Sequence, residues 1–164
     1  MLVTRPFPNV SFLQKLRERN DEVDHQFSFL RRFFTPRTVF MHFGAGDCSL
    51  ALQAASYVER VYAVDAQEGI ASGVRLPCNL RFVDSRDLWT VGGCAVDLGF
   101  SDGLPAARLR EICWCLAPRG AFVFQSNEKP RLVRAQLRDA GFSAVRSSFL
   151  ANLLRNPAML EAIK

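Results

Sequence analysis

TVFMHFGAGDCSLAL, residues 38–52, decides the fold. Its first part, Thr38 to Phe43, is a short, mostly apolar run rich in β-branched and aromatic residues, which reads as a buried strand. The run passes straight into Gly44-Ala45-Gly46-Asp47, and a helical pattern follows from about Cys48 to Tyr57. A residue without a Cβ reaches left-handed backbone angles and lets a ligand approach the main chain, so this strand–turn–helix is a candidate binding element.

Downstream the same alternation repeats. Arg60 to Val64 reads as a second strand ending at Asp65, and Leu80 to Val83 as a third ending at Asp84. Cys94 to Phe100 is a fourth, and Leu104 to Leu116 a helix stopped by Pro118-Arg119-Gly120. Ala121 to Gln125 is a fifth strand, and Pro130 to Ala140 a helix with Gly141 at its C-terminal stop. Phe142 to Phe149 is a sixth strand, and Asn152 to Lys164 reads as helix. Upstream, Ser11 caps a helix through Asn20 and Asp21 caps a second. In that second helix Val23, Phe27, Leu30 and Phe34 form one apolar stripe before Pro36. The two together either lie across the mouth of a site or cover one face of the sheet.

This order predicts an α/β fold: a doubly wound, mostly parallel sheet of six strands, with seven as the alternative, and helices on both faces. Residues 1–36 form an N-terminal helical cap or extension, 37–150 the sheet domain and 151–164 a C-terminal helix. No second strand is evident after Phe149, so the sheet's last edge is either open or completed by a partner.

Composition narrows the class. The chain has 164 residues, 49% apolar and 23% charged, which suits a single folded domain and excludes a disordered, collagen-like or disulfide-dense protein. No apolar stretch approaches the ~18–20 residues needed to cross a bilayer, and Met1 to Pro8 lacks the apolar core of a signal peptide. The expectation is a cytoplasmic protein. Cys48, Cys78, Cys94, Cys113 and Cys115 are odd in number and lack zinc-knuckle spacing, and His25 and His42 are the only histidines. These read as buried or incidental thiols, with no metal. Net charge is +5, but the basic residues are dispersed. Their densest groups, Lys15–Arg17–Arg19, Arg31–Arg32 and Arg131–Arg134–Arg138, have the helical spacing of a solvated face more than of a phosphate footprint.

In doubly wound sheets, ligands bind beyond the carboxyl ends of the strands, where the strand order reverses. Three features converge there. The first is the turn Gly44-Ala45-Gly46. The second is Asp65, 19 residues after Gly46, placed to accept hydrogen bonds from the two hydroxyls of a ribose. The third is Asp84 followed by Ser85, which could meet an adenine amine and ring nitrogen. The competing reading of a strand-ending aspartate is a turn or helix cap. Asp87 is a close rival to Asp84.

The run from Thr38 to Phe149 resembles the class I S-adenosylmethionine-dependent methyltransferases. FGAGDCSLAL at 43–52, VYAVDAQ at 61–67, FVDS at 82–85 and AVDLGFSD at 95–102 are similar to that family's successive strand-end motifs. REICWCLAPRGAFVF at 110–124 and LRDAGFSAV at 137–145 resemble its later segments. The resemblance implies S-adenosylmethionine as cofactor, with S-adenosylhomocysteine as product. It implies Gly44, Ala45 and Gly46 along the methionine part, Asp65 on the ribose, and Asp84 with Ser85 on the adenine. His42, Ala66 and Phe100 complete the implied cofactor-binding set.

The chain departs from the family's pattern in ways that bear on activity. His42 stands where the family has an acidic residue for the cofactor's ammonium group, and Cys48 where it has a third glycine. A neutral imidazole accepts one hydrogen bond without supplying negative charge, and a protonated one repels an ammonium. Phe100 to Pro105 leads almost directly into a helix, leaving little room for substrate-facing residues. Asp102, Asp47 and His42 are the candidate general bases. The leading expectation is a methyltransferase acting on a small molecule. The alternative is a catalytically inactive protein of the same fold, serving as a partner subunit or pairing with its own copy. A nicotinamide-dependent dehydrogenase fits less well, since 164 residues leave no room for a second domain and position 49 is Ser. A nucleic-acid methyltransferase also fits less well, since this chain has no Asn/Asp-Pro-Pro-aromatic sequence after the fourth strand, the motif by which the amino-directed enzymes of that class resemble one another.

Overall fold

Strand β1 (Val39–Gly46) pairs in parallel with β2 (Arg60–Ala66) on one edge and with β4 (Val96–Ser101) on the other. It therefore sits where successive connections run in opposite directions along the sheet. A computed structural model describes residues 10–67, 75–147 and 158–164 of the chain. β3 (Leu80–Val83) extends the sheet beyond β2, and β5 (Leu116–Ser126) extends it beyond β4, both in parallel. β6 (Ala144–Ser147) and β7 (Ala158–Ile163) complete it, giving the order β3-β2-β1-β4-β5-β7-β6. Among the described residues, only the pairings made by β7 are antiparallel.

Seven strands are present among the described residues, and two expectations are corrected by the last of them. The helix expected over Asn152–Lys164 is instead strand β7 at residues 158–163; the first part of that expectation lies outside the described residues. The terminal hairpin that no sequence pattern announced is also there, since β7 pairs with β6 as well as β5. Ala-Met-Leu-Glu-Ala-Ile is composed of good helix formers, but β5 offers an open edge from Ala121 to Ser126, and Met159 and Ala162 become buried by pairing with it. Tertiary context overrides a weak local propensity.

The helices divide between the two faces. α1 (Val10–Leu30) and α2 (Ser49–Ala55) cover one, where Leu30, Phe34, Leu50, Ala51 and Ala54 pack on Phe40, Val61, Ala63 and Phe100. α3 (Leu109–Cys115) and α4 (Pro130–Ala140) cover the other, where Leu109, Ile112, Val133 and Leu137 pack on Met41, Phe122 and Phe124. α1 is one continuous helix, not the two expected. Asn20 and Asp21 are exposed at the expected break, and with no proline or glycine there the helix continues at the cost of propensity alone. The stripe Val23, Phe27, Leu30, Phe34 does face the core as read. Gly141 ends α4 in the left-handed conformation, at φ 104°. Cys48, Cys113 and Cys115 are buried, Cys78 and Cys94 exposed, and all five are free thiols. No described helix is long and apolar enough to cross a membrane.

Gly99 in β4 makes room for the ring of Phe122, its partner on the neighbouring strand β5. A Cβ there would lie 2.9 Å from Cδ2 of Phe122, a fully buried ring stacked on Phe124. Gly99→Ala is expected to destabilise the fold by ~1–3 kcal/mol, the usual cost of overpacking. Urea unfolding monitored by tryptophan fluorescence should show a lower midpoint, and an unchanged midpoint would mean that Phe122 has room to move.

Candidate functional site

The site begins with the alternation of β1. Phe40 and His42 face the α1–α2 layer, and Met41 faces the other. His42 lies near the carboxyl end of the strand, its ring 5.4 Å from that of Phe100 on β4 and 6.4 Å from that of Phe40. It is 4% exposed, and neither ring nitrogen has a hydrogen-bond partner among the described residues. Burial lowers its pKa to about 4, against a smaller raising effect from Asp47. His42 is therefore a neutral imidazole at pH 7, with one donor and one acceptor unsatisfied.

Beyond His42 the chain turns. Gly44 and Gly46 have φ of 72° and 51°, and a Cβ built on Gly44 would meet nothing within 4 Å. The turn presents bare backbone to open space. Cys48 also adopts a left-handed φ of 61°, so it takes glycine's conformation at the position where the resemblance has a glycine. Its buried thiol packs into the core, and burial pushes its pKa up. Asp47 stays at the surface of the turn. One oxygen accepts from the Ser49 amide at 3.1 Å and the other pairs with Arg19 of α1 at 3.0 Å.

A cavity of about 430 Å³ opens between this turn, the end of β4 and α1. His42, Gly44, Ala45, Gly46 and Asp47 form one side, Asp102 a second, and Glu18, Arg19, Glu22, Val23 and Gln26 the helical wall. Asp102 follows β4 directly, and its Oδ1 accepts a hydrogen bond from Gln26 Nε2 at 2.8 Å. Partial burial, and then repulsion from Glu22, raise its pKa. The cavity thus occupies the switch point between β1 and β4. α1 both covers a sheet face and lies across this mouth.

The other sequence-derived candidates sit apart from the cavity. Asp65, at the end of β2, has φ 54°, and its Oδ1 accepts from the Ser85 amide at 2.8 Å. Ala66 pairs with Gly46, and the next amide, of Gln67, donates to the Gly46 carbonyl at 2.8 Å, so β2 ends beside the glycine turn. Asp84 is the cap of a 3₁₀ turn over Ser85–Thr90. Its carboxylate accepts from the Arg86 amide at 2.8 Å and from the Arg86 guanidinium at 2.7 and 2.9 Å. Those bonds hold its carboxyl far below the ordinary range. None of Asp65, Asp84 and Ser85 lines the cavity, and Phe100 backs His42 from beneath. The three general-base candidates, His42, Asp47 and Asp102, do converge there.

Arg19, Glu22 and Gln26 were not anticipated. A signal existed: 19, 22, 23, 26 and 30 share one helical face with the apolar stripe, and a polar residue continuing such a stripe marks a wall that meets something other than core. Of the basic groups, Arg31 lies over the Tyr57 ring and Arg32 over Phe29 and Phe33, while Arg131, Arg134 and Arg138 are exposed along α4.

No family model matches the chain, and no curated protein matches it in sequence. Solved structures do match in shape. The 1,6-didemethyltoxoflavin-N1-methyltransferase of Burkholderia thailandensis, with bound 1,6-didemethyltoxoflavin and S-adenosylhomocysteine, has a TM-score of 0.65 at 19% identity. That match covers 99% of this chain and 93% of the other. The tRNA (m1A58) methyltransferase TrmI of Aquifex aeolicus has a TM-score of 0.64 at 14% identity, covering 87% and 68%. The precorrin-6y C5,15-methyltransferase of Geobacter metallireducens has 0.58 at 17%, covering 87% of each. The fold is that of the class I S-adenosylmethionine-dependent methyltransferases. The acceptors named in these three differ widely, so this methyltransferase fold leaves the acceptor open.

His42 makes the stability of this methyltransferase fold depend on pH. Its folded pKa of about 4 lies below the ordinary 6.5, so between those values the unfolded chain binds the proton and the folded chain does not. Stability is then complete above about pH 6.5 and falls as the pH drops toward 4, by on the order of 3 kcal/mol. The raised carboxyl of Asp102 works in the opposite sense. His42→Phe removes the first effect and keeps the second. Denaturation midpoints measured from pH 7.5 to 4.5 should fall more steeply for the wild type than for His42→Phe; parallel curves would show that His42 is hydrated or partnered in solution.

Proposed function

We propose that the chain is an S-adenosylmethionine-dependent methyltransferase acting on a small molecule. The observation that carries this reading is the bare glycine turn, with left-handed φ at Gly44 and Gly46, facing a cavity at the β1–β4 switch point. Its volume of about 430 Å³ falls in the range of small-ligand sites.

The residues fit the cofactor unevenly. The methionine end would lie along Gly44–Gly46, where open space above Gly44 leaves room for it. Asp65 would take the ribose through Oδ2, which makes no hydrogen bond among the described residues, while Oδ1 stays on the Ser85 amide. Ala66 would border the ribose. Asp84 and Ser85 would meet the adenine, for which Asp84 must share or release the exposed Arg86. When bound, the cofactor supplies a methyl group on a sulfonium, already activated for displacement. What remains for the protein is to hold the acceptor in line with that methyl and to exclude water, and alignment alone contributes ~7–11 kcal/mol in favourable cases. α1 lies across the cavity and is placed to do the second.

One observation favours a cofactor-binding but catalytically inactive protein as the second reading. His42, buried and neutral, supplies no negative charge where the resemblance has an acidic residue for the cofactor's ammonium. A protein that acts as a partner subunit, or as one half of a pair of identical chains, is compatible with that arrangement.

Calorimetric titration with S-adenosylhomocysteine tests the cofactor reading. Micromolar binding is expected, and Asp65→Ala should weaken it tenfold or more, equivalent to ~1.4 kcal/mol. No heat with this ligand alongside a response to NADH would replace the methyltransferase reading by a dehydrogenase.

A further inference from the structure

The cavity is built for charge in a way the position-42 substitution alone does not suggest. The protein as a whole is basic, at +5, yet four carboxylates (Glu18, Glu22, Asp47, Asp102) and one guanidinium (Arg19) line this cavity. Asp102 is held in place by Gln26, which is 3% exposed, and Glu22 stands near enough to repel its charge. Arg19 reaches over the glycine turn, beside Gly46 and Asp47. At the floor lies His42, more than nine-tenths buried, with both nitrogens unbonded. Buried polar groups are rarely left unpaired, so an imidazole lining a cavity with no partner among the described residues marks a place for a polar ligand.

We propose that Asp102 and Glu22 receive the ammonium, and Arg19 the carboxylate, of an α-amino-acid group seated on His42. This rests on the reading of the ligand as S-adenosylmethionine, and it relocates the ammonium's counter-charge from β1 to α1 and the end of β4. A zwitterion needs an anionic and a cationic partner, and the cavity offers both: α1 brings Arg19 and Glu22 to it three residues apart, and the end of β4 adds Asp102. The neutral floor follows from the same geometry. An imidazole held uncharged by burial does not repel an ammonium, and its unprotonated nitrogen accepts one of the three N–H groups. Arg19 is available for the task. Its pair with Asp47 is half-exposed, at 51% and 38% for the two side chains, and such surface pairs exchange partners at little cost. Gln26 is a positioning residue that acts through Asp102.

The test compares two ligands on the full chain. S-adenosylhomocysteine carries the amino-acid group, and 5′-methylthioadenosine has the same adenosyl end without it. Asp102→Asn is expected to weaken S-adenosylhomocysteine at least tenfold, and Arg19→Gln at least fivefold, while both leave 5′-methylthioadenosine within twofold of the wild type. Glu22→Gln, a change at an exposed helical position, should weaken the first ligand severalfold and serves if Asp102→Asn does not fold. Unchanged S-adenosylhomocysteine affinity in these variants, or an equal loss for both ligands, overturns the proposal. Failure of the wild type to bind either adenosyl ligand overturns the cofactor reading instead. The charge arrangement is then decided by amide spectra in millimolar L-methionine. Shifts confined to Gly44–Asp47 and abolished by Asp102→Asn retain it, and unmoved spectra sink it.

Discussion

The double parallel pairing of β1 is the constraint from which the rest of the molecule follows. With β2 on one edge and β4 on the other, all three strands deliver their carboxyl ends to the same side of the sheet. The connections leaving β1 and β4 depart in opposite directions, and a crevice opens between them. Gly44–Gly46 and Asp102 face each other there because the register puts His42 beside Phe100 and Phe43 beside Ser101. The glycine turn is secured from the other edge, where Ala66 pairs with Gly46. The strand register sets this arrangement. The packing of α1 and α2 on Phe40, Ala63 and Phe100 keeps it dry from below.

Most of the ladder was legible in the sequence because its central strands are short apolar runs bounded by glycine, aspartate or proline. Leu80–Val83 and Pro130–Ala140 match their expected limits residue for residue. β7 was not legible. Its six residues favour helix when read alone, and only the open edge of β5, far away in sequence, makes a strand of them. The site was legible in part for a related reason. His42, Asp47 and Asp102 could be found because they follow strand ends, whereas Arg19, Glu22 and Gln26 enter from a helix whose placement no local pattern fixes. Asp84 shows the converse. The motif is present, and the simpler role of capping the Ser85–Thr90 turn is the one its carboxylate fills here.

Two ends of the crevice therefore differ in how much they are committed before any ligand arrives. At the glycine turn, among the described residues, His42 has no partner, Arg19 pairs with Asp47 and Asp102 accepts from Gln26, contacts that a ligand's own charges could share. At the β2–β3 end, Asp65 fastens the Ser85 amide and Asp84 is held by three hydrogen bonds from Arg86. The contacts to the Arg86 side chain are fully solvated, and water replaces them readily; the one to its amide is part of the turn itself. A ligand reaching this end meets an anchored turn whose Asp84 carboxylate still has lone pairs facing solvent. A ligand reaching the other end meets groups whose hydrogen bonding is incomplete without it. Differential affinity follows from that asymmetry, because satisfying a buried, unpaired imidazole returns free energy that an exposed and already paired carboxylate does not. On the proposed reading, the glycine-turn end of the crevice, more than the β2–β3 end, is where a ligand's polar groups would add specificity.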